Sequence, residues 1–215
     1  MSDPYTTPEP ARAAFITIDL QNDFTRKGAP AMIAGTSAVV PAVRRSLGAF
    51  RAAGRPIIHL VRLYKPDGSN VDICRRQLIE RGAVIARPGT EGAELIDELK
   101  PDENVKLNAN TLLAGRLQKI GPDEWVLYKP RWSAFHGTTL KNLLDDLGVT
   151  TLVFAGCNFP NCPRASIYEA SSLDYRLCVV ADAMSGLYER GMAELQGIAV
   201  TMMTSDEVAP WLISN

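Results

Sequence analysis

The chain has 215 residues, 46% hydrophobic and 22% charged, the balance of a soluble globular protein with room for one α/β domain and little for a second. Lys and Arg total 23 against 24 Asp and Glu, so the chain is near neutral, which argues against nucleic acid or an anionic membrane as partner. Four cysteines are too sparse for a disulfide scaffold, and Cys74, Cys157, Cys162 and Cys178 lack zinc-knuckle spacing. The polar start shows no secretory signal, and no apolar run approaches the about 20 residues that span a bilayer, so a reducing cytoplasm is the expected setting.

In chain order, residues 1–12 read as a loose polar arm and 13–215 as a single domain. Residues 13–19 (AAFITID) form an apolar, β-rich run, hence a buried strand. Helical apolar spacing covers 37–53 and stops at Gly54. A second strand is predicted at 56–63, a helix over 71–81, and another short helix over 91–99. Segment 102–124 is irregular and long for a helix-to-strand connection, so it reads as a functional insertion. Strands follow at 125–129, 151–155, 177–181 and 199–204, with helices at 138–147, 162–173 and 189–198. Strands alternating with helices imply a doubly wound, mainly parallel six-stranded sheet with helices on both faces.

In such sheets ligands bind outside the carboxyl ends of the strands. Asp19 ends the first strand, Lys129 ends the third, and Cys162 follows the fourth through the loop 156–161. Pro163 follows Cys162, and proline favours the first helical position, which puts Cys162 near the N-cap. There the helix dipole and free N–H groups favour a thiolate and can hold an oxyanion. Cys178 reads as core, Cys74 lies in a helix, and Cys157 is an outside candidate. His59 reads as a satisfied core histidine and His136 as a loop or cap residue, while Asp182 suits a structural or a functional role equally. A redox pair of Cys157 and Cys162, or a binding protein without catalysis, are the competing readings.

Three ordered motifs resemble those of isochorismatase-like cysteine hydrolases. They are Phe15 to Phe24 (FITIDLQNDF), Lys129 to Phe135 (KPRWSAF), and Gly156 to Cys162 followed by Ser166, Glu169 and Ala170. The resemblance runs from about residue 13 to 204. It implies a triad in which Asp19 takes the thiol proton, Lys129 steadies the charges, and Cys162 attacks a carbonyl carbon through a thioester. Backbone N–H groups of Asn158 and Cys162 would hold the oxyanion. It also implies a cis peptide between Cys157 and Asn158 and a homodimer or homotetramer, with no cofactor. Family members of the nicotinamidase type carry an Asp and several His as metal ligands near the second strand; here only His59 is available, so no catalytic metal is expected. The loop 158–164 is most similar to the streptothricin-hydrolase-like branch, whose members open a lactam amide in streptothricin antibiotics. Asn22, Phe24, Trp132, Phe135 and Phe159 flank the triad in sequence and can line a pocket for a small amide, with core packing as the alternative.

Overall fold

The computed structural model describes residues 3–214. In chain order the elements are β1 Ala13–Ile18, α1 Asn22–Thr25, α2 Thr36–Ala52, β2 Ile57–Val61, α3 Ile73–Glu80, α4 Ala109–Leu113, β3 Gln118–Gly121, β4 Glu124–Tyr128, α5 Leu140–Asp146, β5 Thr151–Gly156, α6 Cys162–Ser172, β6 Arg176–Met184, α7 Glu189–Gly197, β7 Thr201–Met203 and α8 Ser205–Leu212. Among the described residues the strands form one sheet in the order β3-β4-β2-β1-β5-β6-β7. All pairings are parallel except β3 with β4.

β1 explains its own central place. All six of its residues are buried, because both faces of the sheet are covered. Ile16 and Ile18 face a core that also holds Leu140 of α5, Ile167 of α6 and Leu195 of α7. Phe15 faces the opposite core, with Val43, Leu47 and Phe50 of α2 and Val208 of α8. Phe15 stacks on Phe50 at a ring separation of 5.0 Å. Registers of Ile18 with Leu60 and with Gly156 align the carboxyl ends of β2, β1 and β5.

Several expectations need correction. The sheet has seven strands rather than six, because segment 102–124 contains α4 and β3. β3 (QKIG) is a half-buried antiparallel edge with no apolar run to announce it. The single helix expected over 91–99 is two 3₁₀ turns, Glu91–Ala93 and Asp97–Leu99, with Leu95 bridging Gln21 between them. The chain does not end on its last strand: α8 follows, started by a capping box of Thr204 and Glu207. The arm is tied down near its end. Glu9 N–H donates to Thr151 Oγ1 at 2.9 Å and Arg12 Nε to the Gly148 carbonyl at 2.9 Å; Met1 and Ser2 lie outside the described residues.

Candidate active site

Asp19 is the residue after β1, and its backbone is left-handed (φ 54°). Asp tolerates that region better than most residues, and non-glycine residues held there gather at working sites. Its N–H donates to the Leu60 carbonyl at 2.9 Å, which docks it on β2. Lys129 is the residue after β4, fixed by its N–H on the Val61 carbonyl at 3.0 Å. Its fully buried side chain sends Nζ to Asp19 Oδ2 at 2.9 Å. Asp19 Oδ1 is buried and accepts no hydrogen bond among the described residues.

β5 must end on glycine. A Cβ on Gly156 would overlap the Ile18 carbonyl oxygen, and its φ of 128° excludes most side chains. This close approach brings the loop 157–161 against the end of β1. Cys157 N–H donates to the Ile18 carbonyl at 3.0 Å, and the Cys157–Asn158 peptide is cis, as expected. The loop is then pinned by Phe159 N–H on the Ser185 carbonyl at 2.8 Å. Asn161 is the N-cap, so Cys162 is the first residue of α6 and Pro163 the second, one place later than expected. Cys162 N–H still belongs to the first helical turn, whose N–H groups have no intrahelical acceptor.

Tertiary surroundings oppose the helix start at the Cys162 thiol. Its pKa is raised, first by burial and then by the negative charge of Asp19, against the opposing pull of Lys129 and Arg62. The Cys157 thiol is fully buried, pushed well above its ordinary value mainly by burial, and donates to the Asp19 carbonyl at 3.1 Å. Cys178 is core, likewise raised by burial, and Cys74 is exposed; all four cysteines are free.

Arg62 escaped the sequence reading. It follows β2, and β2 lies between β4 and β1, so its side chain enters the same cluster. It is 1% exposed and sends Nη2 to Cys162 Sγ at 3.6 Å. Nη1 lies 3.1 Å from Asp72 Oδ2, and Tyr64 Oη also donates to Asp72 Oδ2, at 3.3 Å. The signal was present: one arginine stands inside the apolar run from Ile57 to Leu63.

The five expected substrate contacts separate. Phe24 packs with Tyr64, Val71 and Cys157, and Phe159 meets Tyr188 edge-on at 5.4 Å; both are buried core. Phe135 is buried against Tyr175, with ring centres 5.9 Å apart. Asn22 braces the loop by donating to the Glu91 carbonyl at 2.8 Å and accepting from Arg26 Nε at 3.0 Å. These four fold the site rather than open onto solvent. Trp132 differs: it is 38% exposed and borders a cleft of about 660 Å³ lined also by Asp72, Arg76, Arg131, His136 and Glu169. Asp72 therefore joins that cleft to the buried cluster. A larger groove of about 800 Å³ beside α2 is lined by none of Asp19, Lys129 and Cys162.

The remaining candidates are structural. Asp182 accepts from Ser205 N–H and Oγ, at 2.8 and 2.6 Å, at the start of α8. His59 is committed on both ring nitrogens, to Thr17 Oγ1 and Glu124 Oε1, each at 2.7 Å. With His59 committed and Arg62 and Tyr64 beyond β2, the residues present do not fit a metal. No group of three His, Cys, Asp or Glu among the described residues is arranged to hold one.

Residues 13–207 match the isochorismatase domain family. A protein of Arabidopsis thaliana named "probable inactive nicotinamidase" is 33% identical over 202 residues, covering 90% of this chain and 93% of its own. An N-carbamoylsarcosine amidase of Arthrobacter is 27% identical over 207 residues, covering 94% of this chain and 71% of its own. The crystal structure of an isochorismatase family protein from Desulfovibrio vulgaris superposes with a TM-score of 0.80 at 33% identity, over 94% of this chain and 99% of that one. No helix among the described residues is long and apolar enough to cross a membrane. With the family match over residues 13–207 and the relatives in agreement, this chain belongs to the isochorismatase family.

Proposed function

We propose that the protein is a cysteine-dependent hydrolase of a small-molecule C–N bond, working through a thioester with Asp19, Lys129 and Cys162 as its triad. The observation that carries the reading is the buried Lys129–Asp19 pair, with the second carboxylate oxygen of Asp19 unpartnered and a thiol at the head of α6. An unpaired buried oxygen is costly and is kept where it has work to do.

The raised pKa of the Cys162 thiol suits a proton transfer that accompanies attack. Cys162 gives its proton to Asp19 as the sulfur bonds to the carbonyl carbon. The oxygen takes the negative charge, and the backbone N–H groups of Asn158 and Cys162 hold it. The C–N bond then breaks and the amine leaves with the proton from Asp19. Water, losing a proton to Asp19, opens the thioester, and that proton returns to the sulfur. Lys129 keeps Asp19 oriented and charged between steps.

Two substrate classes have support. The names of the relatives favour a carbamoyl compound, since they include N-carbamoylsarcosine amidase and ureidoacrylate amidohydrolase. The loop 158–164 favours a lactam such as that of streptothricin. The test incubates the wild type and Cys162→Ala with N-carbamoyl amino acids, ureido acids, primary amides and lactams, streptothricin included, and reads released ammonia or amine. Hydrolysis of one class by the wild type and none by Cys162→Ala supports the reading. Equal hydrolysis by both proteins overturns it, and binding without turnover of any class returns the protein to the non-catalytic reading.

A further inference from the structure

The reaction centre holds one more ion pair than the triad needs. Asp19, Lys129, Arg62 and Asp72 are each at most 5% exposed, two acids and two bases that balance when all are ionised. The two cations divide their attention. Lys129 Nζ sits on Asp19 Oδ2 at 2.9 Å, whereas Arg62 Nη2 points at Cys162 Sγ at 3.6 Å. Arg62 is held from behind by Asp72 at 3.1 Å, and its cation lies 5.9 Å from the centre of the Tyr64 ring. Arg62 Nε has no hydrogen-bond acceptor among the described residues and Nη1 has only its ion pair with Asp72, so the Nη2 directed at the sulfur is not needed to close a structural network.

We propose that Arg62, anchored by Asp72, is a second catalytic cation that stabilises negative charge on the Cys162 sulfur. This rests on the reading of Cys162 as nucleophile. When the S–H bond breaks and an O–H bond forms on Asp19, one negative charge moves from carboxylate to sulfur and the cluster as a whole stays neutral. Lys129, in contact with Asp19, and Arg62, in contact with the sulfur, both favour negative charge on Cys162, while burial and Asp19 oppose it. Arg62 is the cation that touches the sulfur itself. Arginine suits the task because it stays ionised when buried. Burial pulls the proton affinity of Arg62 down, but Asp19, Tyr64, Cys162 and Asp72 together raise it above the ordinary value.

The thiol is faced by Asp19 beyond β1, Arg62 beyond β2, Lys129 beyond β4 and Cys157 before α6, with Asp72 and Arg75 behind Arg62. The test is the rate of iodoacetamide alkylation of Cys162 against pH, mapped by peptide fragmentation, with exposed Cys74 as the internal reference. It needs no substrate, so it stands apart from the turnover test of the triad. Arg62→Gln is expected to move the Cys162 midpoint up by at least one pH unit, a tenfold loss of rate at neutral pH, with Cys74 unchanged. Arg62→Lys is expected to recover part of the shift, and Asp72→Asn to give a smaller one in the same direction. A purely structural Arg62 would lower the melting temperature and leave the profile in place. A folded Arg62→Gln with the wild-type profile overturns the proposal. If Arg62→Gln does not fold, wild-type profiles in both Arg62→Lys and Asp72→Asn overturn it.

Discussion

Two buried polar clusters sit on the same sheet, and they differ in whether they are closed. In mid-sheet, Thr17, His59, Glu124 and Arg51 form a chain. His59 joins Thr17 and Glu124, while Arg51 grips both oxygens of Glu124 at 2.8 and 2.7 Å and also reaches the Leu99 carbonyl at 2.6 Å. None of these side chains has a buried polar atom without a partner among the described residues. At the carboxyl edge, Asp19 Oδ1 and Arg62 Nε remain open. Both clusters carry the desolvation cost of buried charge. Only the second leaves valences that a substrate or a moving proton could use, as the proposed mechanism requires.

Substitutions can break that contrast, and the largest effect belongs at the edge. Asp19→Asn is expected to lower kcat/KM by at least about 10³-fold, because it removes the group that the proposed mechanism uses as base in both half-reactions. Glu124→Gln is expected to leave kcat/KM within about threefold of the wild type. Steady-state kinetics on whichever amide is turned over checks both. The contrast reverses for stability. Glu124→Ala leaves His59 and Arg51 without their shared acceptor and is expected to cost roughly 3–5 kcal/mol in urea unfolding.

Acid should find the mid-sheet cluster too. Burial pushes the Glu124 carboxyl up, but hydrogen bonds from Arg51 and His59 outweigh it and hold the pKa at about 2, below its ordinary 4.5. A depressed carboxylate pKa adds stability that is complete above the unfolded value and is lost as pH falls towards the folded one. Stability is therefore expected to drop by up to about 3 kcal/mol between pH 4.5 and 2 from this group. The same scan on Glu124→Gln should be flatter by that amount.

The smallest effect links the two halves of the site. Ser166 Oγ accepts from Ala134 N–H at 2.9 Å and donates to the Cys162 carbonyl at 2.7 Å, tying the Ser133-Ala134-Phe135 segment to α6. Ser166→Ala strands that buried N–H, so a loss of about 1–3 kcal/mol is expected by thermal or urea unfolding, with kcat reduced less than in Asp19→Asn.

Much of this was legible in the chain. AAFITID announces a strand buried on both faces, and the carboxyl-edge rule puts Asp19, Lys129 and Cys162 together without a structure. Periodicity does not reveal strand order, and that hid Arg62: only with β2 between β1 and β4 does the residue after Val61 face a thiol after β5. Local context also gives only part of what acts on the thiol. A helix start favours thiolate, while burial and Asp19, which are tertiary, oppose it. The aromatic residues near the motifs share that limit. Phe24, Phe135 and Phe159 flank reactive positions in sequence yet point into the cores, while Trp132 alone of the expected contacts is exposed beside a cleft. β3 and α8 were missed for a simpler reason, since QKIG is too polar and too short to show a strand period and α8 lies past the last apolar strand.

The central claim is that the sulfur of Cys162 forms the covalent intermediate. It is tested most directly by acid-quenching the enzyme during turnover of an active amide and measuring the mass of the peptide that contains Cys162. The expected result is an added acyl group on Cys162, absent from Asp19→Asn and removed by hydroxylamine. Turnover in which the acyl group never appears on Cys162, with Cys162→Ala still hydrolysing the same amide at the wild-type rate, would contradict it.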